Sequence, residues 1–68
     1  MAIENEIRRL RFENGEMTQQ ALAERVGVTR QTIIAIEQNK YAPSLEAAFK
    51  IADVFGAPIE SVFRWTKS

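Results

Sequence analysis

Residues 17–38 read MTQQALAERVGVTRQTIIAIEQ, and the punctuation of this stretch decides the fold. Thr18 can cap a helix that begins at Gln19, because its hydroxyl accepts from backbone N–H groups that the first turn leaves unpaired. Gly27 supplies the positive φ that ends such a helix after Val26. One residue later, Thr29 offers a second cap to the run at residues 30–38. Asn39 then stands where a terminating glycine is expected, and asparagine tolerates the left-handed conformation needed there. Leu22, Val26, Val28, Ile33 and Ile36 can converge on one interior, with the small Ala23 where two helices must approach closely. The spacing predicts two short helices joined by a tight glycine turn.

Upstream, Ile3, Ile7 and Leu10 recur at helical spacing between Glu4, Glu6, Arg8, Arg9 and Arg11, which predicts an amphipathic helix stopping near Asn14 and Gly15. Downstream, residues 40–43 read as a loop, since Pro43 disfavours helix at Ala42, and Ser44 caps a fourth helix with Glu46 in its first turn. Leu45, Ala48, Phe49, Ala52 and Phe55 carry that helix to Gly56. Pro58 suits the first turn of a last short helix containing Ile59, Val62 and Phe63, and residues 64–68 read as a tail. With no stretch of period-two alternation, no long linker and no repeat, the expected fold is all-α: five helices in one domain spanning residues 1–68.

Sixty-eight residues leave room for one core, and 46% hydrophobic against 26% charged residues is enough apolar material to fold it. The chain has neither cysteine nor histidine, which excludes disulfides, thiolate or imidazole metal sites and the usual nucleophile–base pairs. Carboxylates are scattered over helix surfaces and no glycine-rich phosphate loop occurs, so neither enzymatic activity nor a cofactor is expected. The first residues are acidic where a signal peptide needs basic ones, and no apolar run reaches membrane-spanning length; the expected location is cytoplasmic, away from membranes. Nine basic residues balance nine acidic ones, which argues against gripping a polyanion by bulk charge alone. Within residues 17–41, however, Arg25, Arg30 and Lys40 face only Glu24 and Glu37, a weak local excess of positive charge.

Two helices around a glycine turn make a helix-turn-helix, whose second helix can project its outer face into a major groove. An ordinary helical hairpin needs the same core and turn but no polar outer face, and spacing alone does not separate the two. Residues 17–33, with the later Glu37, Pro43, Ser44 and Leu45, resemble the phage-repressor and Cro-like helix-turn-helix family, and the resemblance covers roughly residues 3 to 63. It implies a lambda-repressor-like fold of five helices with the motif at residues 19–38, a double-stranded DNA operator as ligand, and a homodimer. It further implies that Gln19 touches a phosphate, that Arg30, Gln31 and Thr32 face bases or backbone with Ile34 and Ala35 on the same side, and that Arg11 and Glu37 form a structural ion pair.

The residue chemistry agrees with these implied roles. Arginine can bind guanine, and glutamine adenine, through two hydrogen bonds each, which makes Arg30 and Gln31 the base readers. Ile34 either packs against the preceding helix or meets a thymine methyl; it is assigned here, with Ala35, to the groove. Thr18, Gln19, Thr29, Thr32, Lys40 and Tyr41 suit phosphates, which position without specifying. Ile59, Val62, Phe63 and Trp65 offer more apolar area than a small core needs and form the candidate dimer surface. The expectation is a small transcriptional regulator, a repressor on a palindromic operator, with no small-molecule effector evident. The competing expectation is a protein-interaction or antitoxin-type module on the same scaffold, which zero net charge and an apolar Ile34 would suit.

Overall fold

Three hydroxyl caps start the central helices at the residues just named. Thr18 Oγ1 accepts from the Ala21 amide at 3.0 Å, Thr29 Oγ1 from the Thr32 amide at 3.1 Å, and Ser44 Oγ from the Ala47 amide at 3.1 Å. The structure, a computed structural model, describes residues 2–66. Met1 and the last two residues of the expected tail, Lys67 and Ser68, lie outside the described residues. In chain order the elements are β1 (Ala2–Asn5), α1 (Ile7–Glu13), α2 (Gln19–Val26), α3 (Arg30–Glu37), α4 (Leu45–Phe55), α5 (Ile59–Val62) and β2 (Phe63–Thr66).

The turn between α2 and α3 is closed by Gly27 at φ 85°, with the Gly27 and Val28 amides both donating to the Ala23 carbonyl. An L-residue at that φ pays a steric penalty of roughly 1–2 kcal/mol, so the glycine is a backbone requirement. At the far end of α3, Asn39 takes the same left-handed conformation at φ 60°. The Lys40 amide reaches back to the Ala35 carbonyl at 2.9 Å, the capping bond that a glycine usually permits.

The described residues form five helices as expected, but the chain is not all-α. Its two ends pair as an antiparallel two-stranded sheet in the register Ala2 with Thr66, Ile3 with Trp65, Glu4 with Arg64 and Asn5 with Phe63. Ile3 therefore belongs to a strand rather than to the first helix, which starts only at Ile7, and Phe63 opens β2 rather than closing the last helix. The physical reason is non-local. Phe-Arg-Trp-Thr alternates apolar and polar residues and is rich in strand formers, but over four residues only, and its partner lies at the opposite end of the chain. Ile3 stands four residues before Ile7, a spacing that imitates a helix. The Glu6 amide donates to the Val62 carbonyl at 2.9 Å, and Asn5 Oδ1 accepts from the Ile7 amide at 3.2 Å, so strand pairing passes directly into the first turn of α1.

The core gathers Ile7 and Leu10 from α1, Leu22, Ala23 and Val26 from α2, Ile33 and Ile36 from α3, Ile51, Ala52 and Phe55 from α4, and Val62 from α5. Val28 packs against it from the turn. Val62 is only 1% exposed, so it is part of this core and drops out of the dimer surface expected for it. Conversely Leu45 and Phe49, counted with the apolar face of α4, are 73% and 54% exposed. Ala48, Ile51, Ala52 and Phe55 form the inner face of that helix instead.

Candidate nucleic-acid interface

Helix α3 is two-faced, and its periodicity explains how. Ile33 and Ile36 are 0% and 2% exposed and fix the helix to the core, which turns Gln31, two positions before Ile33, to the opposite side, while Arg30, the first residue of the helix, is exposed beside it. Among the described residues neither Arg30 nor Gln31 has a side-chain hydrogen bond or ion pair within the protein. Thr32, Ile34 and Ala35 are half-buried, so the fully outward part of α3 is confined to its first turn and the sides of the helix are shared with neighbours. Thr29 Oγ1 lies 3.0 Å from Thr32 Oγ1, so the hydroxyl of Thr32 is held by the cap residue.

One guanidinium organises the ground on which α3 stands. Arg11 Nε donates to Glu37 Oε2 at 2.8 Å and Nη2 donates to Glu37 Oε1 at 3.2 Å, while Nη1 donates to the Met17 carbonyl at 2.8 Å. The fork thus ties α1 to the end of α3 and to the loop that precedes α2. Gln19 Nε2 adds a third donor to the same carboxylate, reaching Glu37 Oε1 at 3.3 Å. Gln19 sits at the start of α2, half-buried, with one amide hydrogen engaged in this bond and the other left over.

Arg8, Arg11, Thr18, Gln19, Gln20, Arg30, Glu37 and Gln38 line a concave surface at the junction of α1, α2 and α3. Three guanidinium groups and one carboxylate share it, and the carboxylate is already matched by Arg11. The chain as a whole is formally neutral, so this surface is positive because the acids lie elsewhere. Glu6 and Glu13 pair with Arg9, Glu4 and Glu6 with Arg64, and Glu46 with Lys50. Hydrogen bonds from Arg64, and after it from Arg9, hold the Glu6 carboxyl below its ordinary value, so this cluster stays charged and locally compensated. Among the described residues the basic side chains without a salt bridge are Arg8, Arg25, Arg30 and Lys40.

The structure brings together Thr18, Gln19 and Arg30 on the concave surface, with Gln31 exposed beside Arg30. It leaves Tyr41 apart. That ring lines a different groove, with Ile3, Asn5, Ile36, Asn39, Ala42, Pro43, Phe63 and Trp65. Lys40, adjacent to it, is exposed past the end of α3. Residue reasoning did not single out Arg8, Gln20 or Gln38. Spacing does not mark Arg8 as free, because Glu4 stands four residues before it on the helix the pattern predicts; only the placing of Glu4 in β1, opposite Arg64, removes that partner.

The family model described as helix-turn-helix matches residues 7–62. An uncharacterised HTH-type transcriptional regulator of Methanocaldococcus jannaschii is 62% identical over 47 residues, which covers 69% of this chain and 71% of the relative. Another, of Bacillus subtilis, is 46% identical over 61 residues, covering 90% of this chain and 91% of its own. Among solved structures, a candidate DNA-binding protein from Bacteroides fragilis superimposes with a TM-score of 0.80 at 27% identity, covering 91% of this chain and 98% of that one.

Proposed function

The chain belongs to the helix-turn-helix family, and we propose that it is a DNA-binding transcriptional regulator that reads duplex DNA with the outer face of α3. One observation carries this: a helix anchored by Ile33 and Ile36 presents Arg30 and Gln31 to solvent with their hydrogen-bonding capacity unspent, at the edge of a positive concave surface. An isolated surface arginine has many uses, but an unpaired arginine and glutamine at the first turn of this helix match the two side chains that bind guanine and adenine edges bidentately. Thr18, Gln19, Thr29, Thr32 and Lys40 serve the phosphates, and Ile34 and Ala35, half-buried, contribute apolar contact at the groove. Repression by occupying an operator is the mode that needs the fewest additional parts.

A single motif makes few phosphate contacts, and a two-fold dimer with its reading helices about 34 Å apart is the geometry by which such domains bind palindromic sites. The protomer measures 32 × 21 × 19 Å, so a pair joined side by side has the right scale. The surface proposed for that pairing is Ile59, Phe63 and Trp65, now enlarged by Ile3, Pro43 and Leu45. Two adjoining apolar grooves share Ile3, Pro43 and Phe63, and Trp65 is 57% exposed at the rim of one.

Selection from a random duplex pool with sequencing tests the function. The expected result is an enriched, two-fold symmetric motif, with Arg30→Ala abolishing preference at one guanine in each half while circular dichroism stays unchanged. A pool that emerges unenriched, together with a stoichiometric protein partner for the purified chain, would favour the interaction-module alternative, which the exposed apolar surface also suits.

A further inference from the structure

We propose that Arg8, on α1, is a phosphate-binding residue of the same interface, gripping the sugar–phosphate backbone of the duplex that α3 reads; the inference rests on the duplex-binding reading above. Helix α1 carries three arginines within four positions, and the fold gives each a different fate. Arg9 is matched twice, by Glu6 at 3.0 Å and Glu13 at 2.9 Å. Arg11 is consumed by Glu37 and the Met17 carbonyl. Arg8 alone of the three is exposed without a carboxylate partner, and it lines the concave surface beside Thr18, Gln19, Gln20 and Arg30.

Because Glu37 is neutralised by Arg11, Arg8 and Arg30 constitute the net charge of that surface. A guanidinium with no carboxylate to leave gains the full charge-assisted bond to a phosphodiester oxygen, whereas Arg9 must first give up two existing partners. The ligand chemistry is backbone rather than base. When α3 occupies the groove, a cation on the neighbouring α1 meets the strand that borders it, and such contacts raise affinity without discriminating sequence.

The test compares wild type, Arg8→Ala, Arg8→Lys and Arg9→Ala in binding to the selected duplex and to an unrelated one, over a range of salt. Each phosphate neutralised contributes about 0.9 to the slope of log affinity against log salt, so Arg8→Ala is expected to lower the slope by about 0.9 for each bound protomer. That makes binding roughly eightfold weaker per protomer at 0.1 M salt, on both duplexes alike. Arg8→Lys restores the slope, and Arg9→Ala leaves it at the wild-type value. If wild type binds but Arg8→Ala keeps its slope, or loses affinity for the selected duplex alone, the role given to Arg8 is wrong and the duplex-binding reading stands. If wild type retards neither duplex, that reading fails and takes this one with it.

Discussion

Glu37 shows how much can depend on one side chain. Its carboxylate is 9% exposed and accepts from Arg11, itself 13% exposed, and from Gln19, so it joins α1, the start of α2 and the end of α3. Pairing of two nearly buried charges adds little net stability, because desolvation opposes it, but removing one partner strands the other. Glu37→Ala is therefore expected to cost about 3 kcal/mol, the low end for buried pairs because some water still reaches both groups. Urea denaturation measures it, and a loss below about 0.5 kcal/mol would class the pair with ordinary surface bridges. The pair itself was legible through resemblance to a known family. The Arg11 bond to the Met17 carbonyl and the Gln19 bond to Glu37 were not, since neither involves a spacing that a single sequence displays. Arg8 was hidden for a related reason: whether an arginine is free or matched depends on acids brought near by the fold.

Among the elements, those bounded by local chemistry were the legible ones. Thr18, Thr29 and Ser44 cap helices within three residues of themselves, and Gly27 and Asn39 end them by their own backbone conformations, so the motif follows from residues 17–39 alone. The β1–β2 sheet escaped because each strand is four residues long and meaningful only with the other end of the chain present. Its polar face is an ion cluster: Arg64 bridges Glu4 and Glu6, and Glu6 also accepts from Arg9. A carboxyl held below its ordinary value of 4.5 stabilises the fold above that value, and the contribution is lost as pH falls through the lowered folded-state value. Glu6→Gln should accordingly melt below wild type at neutral pH, with the difference shrinking once pH drops beneath 4.5. Thermal scans across that range check it, and a gap that stays constant into strong acid would show that the titration of Glu6 does not matter.

For the whole molecule, a balanced charge count proved a poor guide, because nine acids and nine bases are not mixed evenly. Compensation at the sheet and on the solvent sides of α1 and α4 leaves Arg8 and Arg30 uncompensated around one concavity, on a surface different from the apolar grooves at Ile3, Pro43 and Phe63. The reading and pairing surfaces proposed above are thereby separate on a chain 32 Å long. Of the four residues expected to form a dimer surface, Val62 is spent on the core, whereas Trp65 stays 57% exposed and Phe63 lines both apolar grooves, which keeps these two available to the pairing proposed above. Trp65→Ala is expected to shift the sedimentation equilibrium toward monomer with the helical spectrum retained, and to weaken binding to a two-half-site duplex far more than to a single half-site. Equal sedimentation of the two proteins would remove Trp65 from the pairing surface.

The most direct test is to follow every backbone amide by 15N–1H correlation as a selected duplex is added. Shifts concentrated at residues 18–20 and 29–35, with the Arg8 and Arg30 side-chain signals moving alongside them, are expected. Shifts gathered instead on the sheet and α4, with the first turn of α3 unmoved, would contradict the assignment of that helix as the reading element.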